Sequence, residues 1–101
     1  MTPTSRTIAL LASEGWTADP VERRITSRLT RDLFGIWDVL AVRGSETLAV
    51  QVTTGPNVSA RLKKVAESQA LPACREAGWR LEIHGWRQRH GEWVCRRVDV
   101  S

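Results

Sequence analysis

Asp38 and Gln51 are the residues of this chain whose type and setting most invite chemistry. Each stands among apolar neighbours, one in Phe34-Gly-Ile-Trp-Asp-Val-Leu-Ala-Val42 and the other in Thr47-Leu-Ala-Val-Gln-Val-Thr53. An acid or amide left unpaired away from water costs several kcal/mol, so each needs a partner or a cation. A carboxylate and an amide oxygen are hard ligands of the kind that hold Mg²⁺, with water completing its octahedron. The alternative is a hydrogen-bonded Asp/Gln pair on a half-exposed sheet face. Asp32 and Glu22 are the further acids able to join a cation site, and both are equally at home as solvated charges.

Whether the two residues meet depends on the elements that carry them. Residues 33–43 and 46–54 read as strands around Gly44-Ser45, and glycine first in a two-residue loop suits a type II′ hairpin. Arg43 then faces Glu46, which sets Asp38 directly opposite Gln51 with Cβ atoms about 4.5–5.5 Å apart. Ile36, Leu40, Ala49 and Thr53 share their face. The other face, Trp37, Val39, Ala41, Leu48, Val50 and Val52, is wholly apolar and is expected to be core.

Around this hairpin, residues 4–14 have helical apolar spacing, and residues 16–25 hold an edge or irregular strand broken by Asp19-Pro20. Residues 26–30 read as loop. Residues 57–69 form an amphipathic helix with Val58, Leu62, Val65 and Ala66 on one stripe. Pro72 opens a short helix that Gly78 ends. Residues 79–87 and 92–100 are two strands about a turn at 88–91. The order predicts one domain over residues 1–101 of the α/β (α+β) class, with an α-β-β-β-α-β core and a mixed central sheet flanked by helices.

The chain has 101 residues, with 15 Lys and Arg against 11 Asp and Glu, a net charge of +4. Its pI near 10.0 makes a polyanionic partner plausible. Basic residues gather at Arg23, Arg24, Arg28 and Arg31, and again at Arg80, Arg87, Arg89, Arg96 and Arg97. Thr53-Thr-Gly-Pro-Asn57 leads into a helix start, where free N–H groups favour phosphate, and Arg61, Lys63 and Lys64 follow on that helix. They form either a solvated face or a row that grips phosphate. Trp86 and Trp93 flank the last turn, placed to stack on each other or to meet unpaired bases. Strand alternation sets Arg80, Glu82, His84 and Trp86 on a polar, outward face.

Cys74 and Cys95, with His84 and His90, give neither a disulfide framework nor a zinc spacing, and reduced thiols are expected. No serine or cysteine has an activating neighbour in sequence. No apolar run reaches the roughly 20 residues that cross a bilayer, and no signal segment is visible, so no membrane is expected and a cytoplasmic location is.

The layout resembles the PD-(D/E)xK nuclease superfamily, in particular its small Holliday-junction-resolvase-like and phage or prophage members. Leu10-Leu-Ala-Ser-Glu-Gly-Trp-Thr17 is similar to the first helix and turn of resolvases. Phe34-Gly-Ile-Trp-Asp38 stands at the family's first acidic motif and Ala49-Val-Gln-Val-Thr53 at its (D/E)xK motif, in a degenerate D…QxT form. The resemblance implies a restriction-endonuclease-like fold and hydrolysis of a DNA phosphodiester by a metal-activated water, with Mg²⁺ or Mn²⁺ as cofactor. It implies metal ligation by Asp38, Gln51 and the Val52 carbonyl. Thr53 stands where the family's lysine belongs. In some members that lysine comes from the next helix, here Lys64 or Lys63, with Arg61 nearby. The first helix lacks the glutamate of many resolvases, for which Glu14 and Glu22 are the nearest substitutes. Arg31, Thr53, Asn57, Arg61, Lys63 and Lys64 would contact DNA, and a homodimer is implied. A module that binds DNA without cutting it, or a protein-interaction role without nucleic acid, are the alternative functions.

Overall fold

Helix α1 (Pro3–Ser13) starts on a side-chain cap: the Thr2 hydroxyl oxygen accepts the Ser5 N–H at 3.1 Å, and Pro3 sits in the first turn, where its missing N–H costs nothing. The computed structural model, which describes residues 1–101, continues into β1 (Thr17–Pro20), an edge strand ending at its proline. A small hairpin follows, β2 (Arg23–Arg24) and β3 (Thr30–Arg31), which pairs only with itself. Next come β4 (Val39–Arg43) and β5 (Glu46–Thr54), joined by the expected two-residue turn with Gly44 at φ +59°. A 3₁₀ turn (Gly55–Asn57), α2 (Val58–Ala66) and α3 (Leu71–Glu76) lead to β6 (Arg80–Arg89) and β7 (Glu92–Asp99).

The five main strands form one sheet in the order β1-β4-β5-β6-β7. All neighbours are antiparallel except β5 and β6, which run parallel. A parallel step needs a crossover, and α2 and α3 supply it across one face. The chain is thus an α+β domain with a mixed sheet between helices. Leu11 of α1 packs with Trp16, Val39, Ala41, Leu48 and Val50 on one side of the sheet. On the other side Val58 and Val65 of α2 and Leu71 and Cys74 of α3 pack with Ile36, Trp37, Ala49, Leu81 and Ile83. Gly85 lets the two layers close: a Cβ there would run into Val58 Cγ2 and approach the Gly55 backbone.

Three expectations need correction. The strand expected over 33–43 is only Val39–Arg43, because residues 33–37 close a tight turn in which the Leu33 and Trp37 backbones bond each other and Phe34 and Gly35 take φ of +56° and +75°. Trp37 therefore leaves the alternation and packs beneath α2 and α3 rather than with Val39. The polar side of β6 does not face solvent: Glu82, His84 and Trp86 are buried under α1, to which Thr7 ties His84 and Trp86. Nor do Trp86 and Trp93 stack. They face Cys95 and Gln88 in the register, and Arg6 covers the Trp93 ring at 4.0 Å. No helix is long and apolar enough to cross a membrane.

Candidate functional site

Asp38 sits one residue before β4 and is held from three directions. Its N–H donates to the Val50 carbonyl and its own carbonyl accepts from Val21, each at 2.9 Å. Its carboxylate Oδ2 accepts from Gln51 Nε2 at 2.6 Å and from the Val52 N–H at 2.7 Å. The ladder pairs Val39 with Val50, and just beyond it the side chains of Asp38 and Gln51 meet. Val52 lies two residues beyond Val50 on the same strand edge, so its carbonyl faces the space past the end of β4.

Lys64 comes to the same place from α2. Its Nζ lies 3.4 Å from Gln51 Oε1 and 3.7 Å from Asp32 Oδ2. Asp32, brought back by the turn at 33–37, lies against Asp38. Burial is the main force on the Asp38 carboxyl, pushing it up to about 7; the Val52 N–H opposes this, and the charge and hydrogen bonding of Asp32, with the charge of Glu22, add to it. The arrangement is two acids crowded together, an amide, and one lysine at the rim of the sheet. No three His, Cys, Asp or Glu side chains converge, so any cation would draw on the amide or a backbone carbonyl as well.

The remaining candidates fall in different places. Lys63 is exposed and takes no part, because consecutive helical residues point about 100° apart. Arg61 shares the Lys64 side of α2, one turn nearer the helix start. Asn57 is exposed and donates to the Thr54 hydroxyl at 3.0 Å. Thr53, expected to touch nucleic acid, is 7 % exposed on the face that α2 covers, and so is corrected to an interior residue. Arg31 is exposed on β3, near Asp32.

A second polar group lies on the opposite face and was missed in sequence. The Thr7 hydroxyl accepts the Trp86 indole N–H at 2.9 Å and meets His84 Nδ1 at 3.1 Å; His84 Nε2 meets Glu82 Oε1 at 2.8 Å. Arg97 joins Glu82 to Glu14, at 2.9 and 2.6 Å. Burial raises the Glu82 carboxyl, but the hydrogen bonds from His84 and Arg97 outweigh it and hold it below the ordinary value. Thr7 and His84 are wholly buried, so this chain ties α1 to β6 and offers no surface to a substrate. The only hint in sequence was the i, i+2 spacing of Glu82 and His84. Cys95 is no nucleophile either, since burial pushes its thiol up to about 11 despite Arg97 nearby.

No family model, curated protein or solved structure matches this chain.

Proposed function

We propose that this protein is a metal-dependent DNA endonuclease, with Asp38, Gln51 and Asp32 as the cation-holding side chains and Lys64 beside the scissile phosphate. The observation that carries the reading is Lys64. A lysine from the helix after β5 reaches the amide and acid next to Asp38, filling the role left open by Thr53. The donors suit a hard divalent ion: two carboxylates, an amide oxygen and the Val52 carbonyl. The Asp38 carboxyl, raised to about 7 chiefly by burial and further by Asp32, is one whose charged form Mg²⁺ or Mn²⁺ would favour. Bound there, the ion would polarise the phosphate and make water a better nucleophile.

The chain's own groups do the rest. Gln51 and the Val52 N–H fix the Asp38 carboxylate, and the Lys64 ammonium, on a flexible stem, turns from Asp32 to a phosphate oxygen when DNA arrives. The protein would work in the cytoplasm, where its two thiols stay reduced, and as a homodimer, so that paired sites reach two strands.

A second reading, binding without cleavage on the same fold, is favoured by Lys64 being already engaged with Asp32 and by the lack of three converging acid, His or Cys side chains. The test is nicking of branched and linear DNA with Mn²⁺ or Mg²⁺ by wild type, Asp38→Ala and Lys64→Ala. Cleavage lost in both variants supports the enzyme. A wild type that shifts DNA without nicking it supports the binding module.

A further inference from the structure

The positive charge of this protein is not spread over its surface. The β2–β3 hairpin and the β6–β7 hairpin (87–96) carry seven of the 15 Lys and Arg and only one of the 11 Asp and Glu, so the rest of the chain is acidic on balance. Both hairpins leave the same end of the sheet. The end of β1 pairs with the start of β4, β4 is antiparallel to β5, and β6 is parallel to β5. The C-terminal ends of β1, β5 and β6 and the first residues of β4 and β7 therefore lie together, with Asp38 between the hairpins. β6 also overruns the last residue of β5, Thr54, which faces Trp86. Arg87, Gln88 and Arg89 thus project about 10 Å past the sheet at 3.3 Å per residue.

None of the arginines on either arm has an acidic partner within 4.0 Å, although Arg43, Arg80 and Arg97 elsewhere are all paired. Arg87, Arg89 and Arg96 share the face that holds α2 and Gln51, since Arg96 lies opposite Gly85 in the register. On the other arm, a trough bordered by Arg23, Ile25 and Arg31 runs to Asp32 and Phe34. An isolated hairpin this short is marginal in water, and this one exposes Ile25 and Leu29, 46 % and 56 % accessible, beside its arginines. Basic groups with apolar ones between them suit a phosphate backbone with its sugars.

We infer that the two hairpins are the jaws of a clamp that spans the major groove of duplex DNA over the Asp38 site, with Arg23, Arg24 and Arg28 on one strand's phosphates and Arg87, Arg89 and Arg96 on the other's. The places where the two hairpins leave the sheet, between β1 and β4 and between β6 and β7, are three strand spacings apart, about 14 Å, close to the roughly 12 Å width of a B-form major groove. This rests on DNA as the partner, as proposed above, and not on cleavage.

The test is equilibrium binding of a labelled duplex, without divalent cation, across a salt series. Three variants are compared with wild type: Arg23→Ser/Arg24→Ser/Arg28→Ser, Arg87→Gln/Arg89→Gln/Arg96→Gln, and Arg75→Gln at the far end of the sheet as control. Each lost phosphate contact flattens the plot of log K against log salt by about 0.9. Either jaw variant is expected to lose two to three such steps and at least about tenfold in affinity near 100 mM salt, while Arg75→Gln binds as wild type. If wild type binds but one or both jaw variants keep its affinity and slope, the clamp is overturned and DNA binding stands. If wild type does not bind at about 50 mM salt, where basic non-specific binders hold on, DNA as partner falls and the clamp with it.

Discussion

Asp38→Asn should make this protein more stable at neutral pH, although it removes the central acid of the candidate site. The Asp38 carboxyl is pushed up to about 7, first by burial and then by Asp32, whereas in the unfolded chain it would ionise near 3.9. Below pH 4 both states hold the proton and nothing is lost. Between about 4 and 7 the unfolded chain releases it while the native state keeps it, so stability declines as pH rises and levels off once the native carboxyl ionises. Three pH units at about 1.4 kcal/mol each set a ceiling near 4 kcal/mol. Asp38 is only half-buried, and solvent screening reduces this to about 1–2 kcal/mol.

Asparagine escapes that cost and keeps the bonds. Its carbonyl can accept from Gln51 Nε2 and the Val52 N–H, as Oδ2 now does, and its amide can donate toward Asp32. Urea unfolding at pH 7.5 should therefore find the variant about 1–2 kcal/mol more stable than wild type, with the gap closing at pH 4.5. Mn²⁺ should stabilise wild type by about 1.4 kcal/mol at ten times its Kd, and leave the variant unmoved. A variant less stable than wild type at pH 7.5, or a difference that does not change with pH, refutes the reasoning and makes Asp38 a structural tie.

Other expectations follow from the opposite face and the helix crossover. Thr7→Val leaves the Trp86 indole N–H and His84 Nδ1 without their buried partner, and should cost about 2–4 kcal/mol in urea unfolding, since each orphaned group costs about 1–3. Glu82 is held below the ordinary carboxylate range, so its stabilisation is complete above about pH 4.3 and fades as pH falls through its native value. Glu82→Gln should melt below wild type at pH 7 and converge on it as the pH falls below the native value of Glu82, read as Tm against pH. Gly85→Ala drives a methyl into Val58 and should cost about 1–3 kcal/mol. With Val58→Ala added, the double variant should be less damaged than the two single losses added together, because one removes the clash made by the other.

The hairpin over 38–54 could be read from sequence because its two signals agree: Gly44-Ser45 sets the turn, and strict alternation from Leu48 to Thr53 sets the faces. The pairing from Val39 with Val50 to Arg43 with Glu46, and the meeting of the Asp38 and Gln51 side chains, appear in the structure, whereas Trp37, placed by the same register beside Val39, does not stay there. The reading failed where local pattern and tertiary cover disagree. Leu33 to Trp37 is as apolar as a strand, yet Phe34 and Gly35 at positive φ close it into a turn, and only that turn returns Asp32 to Asp38. Glu82, His84 and Trp86 alternate like a solvent face because the partners that satisfy them from other elements, Thr7 and Arg97, are far away in the chain. Polar residues satisfied by distant partners carry no local mark of being buried. The sequence does not tell Lys64 from Lys63; the rotation of α2 brings Lys64 to Gln51 and Asp32 and leaves Lys63 exposed.

The sheet carries two polar groups of opposite design, and the contrast argues for which one acts. Under α1, Thr7, His84, Glu82, Arg97 and Glu14 are joined end to end, with the acids balanced by Arg97 and the innermost residues shut from solvent. Such a network specifies how α1 docks and leaves nothing over to bind. At the rim under α2, Asp38 and Asp32 crowd each other with a single lysine at Asp32, and the hydrogen bonds Asp38 accepts are ones asparagine could also accept. On the function proposed above, the charge kept there, at the end of the sheet where unpaired arginines lie on both hairpins, is what a cation and a phosphate arriving from outside would offset.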